Sequence, residues 1–249
     1  MGMFDFLKPS KKEDAVQVDL SNIAVDLHSH LIPGIDDGAK TLEESIQLIV
    51  ELKNLGYSKL ITTPHIMSDY YRNTPDIIMG GLDIVRNELV KRNIDIEIDA
   101  AAEYYYDEYF LDLLKSKKLL TIKDEYLLFE FSYLSKPSGT AELIFDIQAM
   151  GLKPILAHPE RYPFLSTQEY LNMKEAGCLF QLNILSLTGH YGTQVKRIAE
   201  NLLELNLIDF LATDLHHMQH IRLIKSNALH SEKILELVNF GNLKNNLLR

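Results

Sequence analysis

The sequence predicts an α/β protein built as one (β/α)7 barrel, and three observations carry that prediction. Seven short apolar runs recur along the chain: IAVDLH, KLITTPH, IEIDAAAE, YLLFEF, KPILAHPE, CLFQLN and DFLATD. Each is too short for a buried helix and rich in Ile, Val, Leu or Phe, as a strand of a buried parallel sheet should be. Longer segments with helical spacing separate them, which implies a parallel sheet with helices on its faces. Most of the runs also end in histidine or a carboxylate, and closed α/β barrels build their sites at those strand ends. Seven units in 249 residues favour a closed barrel over an open sheet.

The elements follow in order. Thr41 and Glu44 form a predicted capping box ahead of Leu42, Ile46, Ile49 and Leu52, and Gly56 closes that first helix. Thr74 and Pro75 start the second, with Ile78, Leu82, Val85 and Leu89 on one face. The third is predicted from Asp107 to Lys117, and the fourth from Ser138 to Gly151. A fifth ends at Gly177, and a sixth spans Thr193 to Asn206. One or two closing helices lie between Met218 and Asn239. Residues 1–22 read as a flexible N-terminal extension carrying Lys8, Lys11 and Lys12, and residues 23–249 as a single barrel domain.

Composition narrows the function classes. Twenty-five basic against 35 acidic residues give a net charge of −10, which argues against a general nucleic-acid or anionic-membrane binder. No run approaches the ~20 apolar residues of a membrane span. The N-terminus lacks the apolar core of a signal peptide. Cys178 is the single cysteine, so no intrachain disulfide can form, and the expected setting is the cytoplasm.

The polar strand ends say more. The first run ends in His28 and His30, the second in His65, the third in Glu103 and the fourth in Glu130. The fifth ends in His158, and the seventh in Asp214 and His216. Five of the nine histidines fall at these places. Asp37, in the loop GIDDGAK, completes a set of nine candidate metal ligands. Imidazole and carboxylate without thiolate suit Zn, Mn or Fe. Nine is too many for one ion, which takes about four to six ligands, and suits two or three ions with a carboxylate such as Glu103 bridging. Without cations, clustered carboxylates would raise one another's pKa.

This ordered set resembles the PHP (polymerase and histidinol phosphatase) superfamily. Within it, DLHSHLIPGIDDG, TTPH, AAEYYYDEYF, LFEFSY and ILAHPERY are similar to the bacterial capsule- and exopolysaccharide-associated tyrosine phosphatases. The resemblance runs from Val25 to the end of the chain. It implies a distorted, TIM-like (β/α)7 barrel, a three-metal site usually run with manganese, and hydrolysis of phosphotyrosine on a protein. The implied partner is a tyrosine kinase of polysaccharide export. Carried over by motif, His28, His30, Glu103 and Asp214 would hold one ion. Glu103, Glu130 and His158 would hold a second, and Asp37, His65 and His216 a third. Arg161 matches the family's phosphate-binding arginine. A second arginine is expected shortly after the final DxH, but here Gln219 or His220 stands near that place and Arg222 comes late.

The implied mechanism is attack on phosphorus by a hydroxide bridging two ions, with Arg161 gripping the equatorial oxygens. A thiolate route is excluded, because a cysteine nucleophile would need an arginine six residues on and Ile184 stands there; Cys178 reads as a small buried hydrophobe. Tyr70, Tyr71 and the Tyr104–Tyr106 cluster are candidates for an aromatic wall, with Arg72 nearby. His190 is a candidate donor to the leaving oxygen. His217, His220 and His230 read as surface residues. Two other classes stay open on sequence: a small-molecule phosphoesterase such as a histidinol phosphatase, and a non-catalytic module that has kept the barrel.

Overall fold

The computed structural model describes residues 17–249. Nine strands pair throughout in parallel: β1 (Val25–Asp26), β2 (Lys59–Thr62), β3 (His65–Ile66), β4 (Glu97–Ala100), β5 (Glu103–Tyr105), β6 (Tyr126–Glu130), β7 (Lys153–Ala157), β8 (Leu179–Asn183) and β9 (Phe210–Ala212). They form a three-stranded sheet ordered β1-β2-β4 and a six-stranded sheet ordered β3-β5-β6-β7-β8-β9.

The two sheets are halves of one wall. β3 continues β2 after Thr63 and Pro64, and β5 continues β4 after Ala101 and Ala102. Pro64 has no N–H to give the ladder, so the second stave breaks there. Its carbonyl still accepts from Glu103 N at 3.1 Å. Counted as staves, the nine strands make the seven that the apolar runs predict. At the upper end a single parallel bridge, Ser29 to Leu215, joins the last stave to the first. His30 N donates to Leu215 O and Asp214 N to His28 O, each at 2.9 Å. At the lower end no ladder joins these staves, and a side chain does so instead. Asn245 donates through Nδ2 to Val25 O and Leu211 O, and its Oδ1 accepts from Leu211 N. This interrupted wall is the distortion expected of the barrel.

Among the described residues eight helices cover the outside: α1 (Leu42–Asn54), α2 (Pro75–Lys91), α3 (Glu108–Ser116), α4 (Thr140–Ala149), α5 (Thr167–Glu175), α6 (Thr193–Glu204), α7 (Met218–Ser226) and α8 (Glu232–Phe240). Their starts follow local chemistry. Thr74 Oγ1 accepts from Ile77 N behind Pro75, and Asp107 Oδ1 accepts from Phe110 N. The box predicted at Thr41 forms only in half. Thr41 Oγ1 accepts from Glu44 N, but the Glu44 carboxylate takes Lys40 N, one residue outside the expected partner. A complete box forms at Ser166 and Glu169 instead. Gly56 and Gly177 end α1 and α5 with φ of 108° and 87°, a region that penalises side chains with a Cβ.

The core has two layers. Val25, Leu27, Ile61, Leu128, Ile155 and Phe210 belong to a cluster drawing on every stave, which fills the lumen. A larger cluster packs the outer strand faces against the helices, with Ile46, Ile49, Leu82, Ile144 and Leu202 among its members. The expected N-terminal extension lies outside the described residues up to residue 16, and Lys8, Lys11 and Lys12 with it. From Val18 to Asn22 the chain is already part of the fold. Val18 and Leu20 are buried, and Val18 N donates to Leu229 O at 2.8 Å.

Candidate metal centre

All nine sequence-selected residues meet at the C-terminal end of the barrel. Their ligand atoms fall into four overlapping groups, each with atoms within 4.8 Å of one another. The groups are His30, Asp37, His65 and His216; His28, His158 and Asp214; His28, His30 and Glu103; and His65, Glu103 and Glu130. The overlap is denser than the motif assignment, because His28 also joins His158 and His30 also joins Asp37. Glu103 lies at the centre. Its carboxylate is 2.9 Å from His158 Nε2, 3.0 Å from His65 Nδ1 and 3.2 Å from His28 Nε2.

The backbone is strained toward this point. His158 and Asp214 carry φ of 34° and 50°, in the left-handed region that side chains with a Cβ avoid. Both turn the chain sharply at the ends of β7 and β9, so that consecutive residues serve different jobs.

Behind the imidazoles stands a row of buried partners that the sequence reading missed. His30 Nδ1 lies 2.7 Å from Asp36 Oδ2, and His28 Nδ1 lies 2.8 Å from Gln181 Oε1. The Tyr162 hydroxyl is 3.2 Å from His158 Nδ1, and His216 Nδ1 is 2.9 Å from the Asp214 carbonyl. Asn183 Nδ2 donates to Asp214 Oδ2 at 2.7 Å, and Gln181 Nε2 donates to Asn183 Oδ1. Fixing one ring nitrogen turns the other toward the centre, the support that metal-binding histidines receive. In the pair Asp36–Asp37 the two carboxylates divide the work: Asp36 is buried under His30 and also accepts from Gly38 N, whereas the half-exposed Asp37 faces the cavity. Gly38 is required there, because a Cβ would stand 2.2 Å from His30 O.

The electrostatics describe a site waiting for cations. Burial works to raise the carboxyls of Glu103 and Asp214, but the surrounding imidazoles overcome it and hold both well below the usual carboxylate range. Burial conversely works to lower His30, and Asp36 lifts it to about 10. His65 Nδ1 and Glu103 Oε2 are buried with no hydrogen-bond partner despite their short separation. Unpartnered buried donor atoms of this kind, beside four imidazoles whose second nitrogens are fixed, fit divalent metal ions.

Above the floor opens a cleft of about 630 Å³. Arg161 lines it, three-quarters buried, with Nη1 3.4 Å from Asp214 Oδ2. Tyr70, Tyr71, Tyr105, Tyr133 and Tyr191 supply aromatic walls. Other expectations need correction. Tyr104 is not in the wall: it is fully buried, stacked on Phe110, and its hydroxyl accepts from Leu120 N, because alternation along β5 sends it outward to α3. Tyr106 turns its hydroxyl to Ser138 O. Arg72 is exposed and donates to Ser68 O. Arg222 is not brought to the cleft. It falls on the exposed side of α7, whose buried side carries His220, Ile221 and Ile224. His190 is likewise exposed and packs against the outside of Tyr191, which takes the inward place in that turn. His220, read as a surface residue, is buried and lines the cleft, and exposed His217 joins it there. His230 is exposed, as expected. Cys178 is fully buried and burial pushes its thiol up to about 12, far from a nucleophile.

Comparison with known proteins agrees with this geometry. Residues 24–230 match the family model for capsular polysaccharide synthesis, CpsB/CapC. The tyrosine-protein phosphatase YwqE of Bacillus subtilis (strain 168) is 32% identical over 215 residues, covering 85% of this chain and 82% of the relative. The tyrosine-protein phosphatase CpsB of Streptococcus agalactiae serotype V is 34% identical over 205 residues, covering 78% and 83%. A solved structure from work on YwqE of Bacillus subtilis and CpsB of Streptococcus pneumoniae, described as metal-dependent tyrosine phosphatases, superposes with a TM-score of 0.78. It is 28% identical and covers 90% of each chain.

Proposed function

The chain belongs to the CpsB/CapC family of capsular polysaccharide synthesis, and from that premise we propose how its rim carries out phosphotyrosine hydrolysis. The enzyme is a metal-dependent tyrosine-protein phosphatase. The observation that carries the reading is the convergence of five imidazoles and four carboxylates, with unpartnered buried atoms at its centre, beneath an arginine and a ring-lined cleft. We assign the nine residues as ligands of two to three divalent ions, manganese first, with iron or zinc as alternatives.

Bound ions of this class stabilise charge on phosphoryl oxygens and activate water. The chain's own residues do the rest. Asp36, Gln181 and Tyr162 hold His30, His28 and His158 in register. The planar guanidinium of Arg161 can take two phosphoryl oxygens, and its cation offsets charge that builds on them. The tyrosines at the mouth receive the substrate's ring. The substrate proposed is a phosphorylated tyrosine kinase of polysaccharide export, met in the cytoplasm. Among the described residues no helix is long and apolar enough to cross a membrane.

The test compares kcat/KM for a phosphotyrosine peptide with that for histidinol phosphate under matched metal. We expect the peptide to be preferred by at least about tenfold, roughly 1.4 kcal/mol of differential binding. Equal or better turnover of histidinol phosphate would return the protein to the small-molecule class.

A further inference from the structure

Arg161 does not stand alone in the cleft wall. Its guanidinium carbon lies 4.3 Å from the ring centre of Tyr133 and 4.6 Å from that of Tyr191. A guanidinium between two ring faces is attracted to both and confined in plane, which leaves its edge to meet a ligand.

The two rings differ at their hydroxyls. The Tyr133 hydroxyl is engaged with the floor, 3.4 Å from Glu130 Oε2 and 3.5 Å from His158 Nε2. The Tyr191 hydroxyl is buried and makes no hydrogen bond of ordinary geometry; Asn183, which donates to Asp214, is the polar side chain beside it. Native proteins leave few such groups unpaired, and one in the wall of a ligand cleft is placed to be completed by what binds there. Tyr191 lines the cleft together with Arg161 and Asp214, in a turn bounded by Gly189 and Gly192, both at positive φ. A tyrosine hydroxyl is a neutral O–H donor at ordinary pH. A donor beside a cation, on a residue that walls the cleft above a metal centre, is matched by an anion's oxygen.

We propose that Tyr191 is a second phosphate-contacting residue, whose hydroxyl donates to a non-bridging oxygen of the phosphoryl group that Arg161 grips. This rests on the reading of the cleft as a phosphomonoester site. It assigns to the turn after β8 the contact that Arg222, exposed on α7, does not make.

The test uses metal-loaded full-length protein and inorganic phosphate, titrated by calorimetry. Tyr191→Phe keeps the ring against Arg161 and removes only the unpaired hydroxyl, so it should fold as the parent does. Its affinity for phosphate should fall by about tenfold, the loss expected for one hydrogen bond to a charged group, with kcat/KM for a phosphotyrosine peptide falling at least as far. Metal content and melting temperature should not change. Phosphate affinity and kcat/KM within about twofold of the parent would overturn the proposal. A loss of metal accompanying the loss of affinity would overturn it too, because the hydroxyl would then act through Asp214. A parent that binds phosphate but does not cleave phosphotyrosine would sink the substrate reading alone, and the Tyr191→Phe titration would still decide this one.

Discussion

The two ends of this barrel both bury polar groups, and they treat them in opposite ways. At the lower end the buried charged groups are paired by other parts of the fold, although the buried Tyr57 hydroxyl makes no hydrogen bond. Asn245 satisfies three backbone groups across the gap between β1 and β9. Asp209 accepts from Phe180 N and from both Lys174 and Lys244. Lys59 meets Glu97 and Asp99. At the upper end the groups are more numerous and more charged, yet His65 Nδ1 and Glu103 Oε2 are left without hydrogen bonds. Burial of charge is thus no sign of a site by itself. What marks the site is that its unpaired buried atoms are an imidazole nitrogen and a carboxylate oxygen side by side, each costing about 1–3 kcal/mol that a bound cation would offset.

The comparison breaks most sharply at Asp214. Asp214→Ala should lower metal content and phosphatase activity together, to background, since it removes one carboxylate from the set and frees the imidazoles around it. Elemental analysis beside an activity assay checks this. Retention of two or more ions with full turnover would remove Asp214 from the centre.

Arg161 should separate chemistry from metal. Arg161→Ala removes a cation from the wall but no ligand. The rate should fall by about 10²–10³, or about 2.7–4 kcal/mol, while metal content holds. A variant with parental kcat would show that the guanidinium does not meet the phosphate.

Proton competition sharpens the contrast further. In the metal-free protein Asp36 lifts His30 to about 10, above its ordinary 6.5, so at neutral pH a proton occupies the place of an ion. That pairing contributes stability that is fully present below 6.5 and is lost as pH rises toward about 10. Metal uptake must expel the proton, so affinity should climb with pH, about tenfold per unit for each proton displaced. Chelator competition at two pH values measures the slope, and a flat profile would mean that His30 is already neutral.

The smallest effect on the site belongs to the lower end. Asn245→Ala removes the partner of three buried backbone groups, each costing about 1–3 kcal/mol of folding stability if left unpaired, read by denaturant unfolding. Metal content and kcat should stay at parental values. A loss of metal in this variant would show that the two ends are coupled through β1.

Sequence by itself determined the alternation of strands and helices, because short β-branched runs and helical periodicity are local properties. It also placed eight of the nine rim residues, since each of those stands at the end of a run and donor chemistry does not depend on neighbours, while the ninth, Asp37, came from a loop with two adjacent aspartates. Thr74, Pro75, Asp107 and Gly177 marked helix ends for the same local reason. Tertiary structure alone decided which residues back the rim. Gln181 reaches His28 across 153 positions and Asn183 reaches Asp214 across 31, and nothing local distinguishes these amides from other strand polar residues. Only packing could choose between Asp36 and Asp37, send Tyr104 outward while Tyr105 lines the cleft, or turn His220 inward and Arg222 out. Asn245 was silent for the same reason: its bonds join strands 186 positions apart, and a side chain that closes a barrel has no signature in its own neighbourhood. Donor type is written residue by residue, whereas orientation is set by contacts between segments that meet only once the chain has folded.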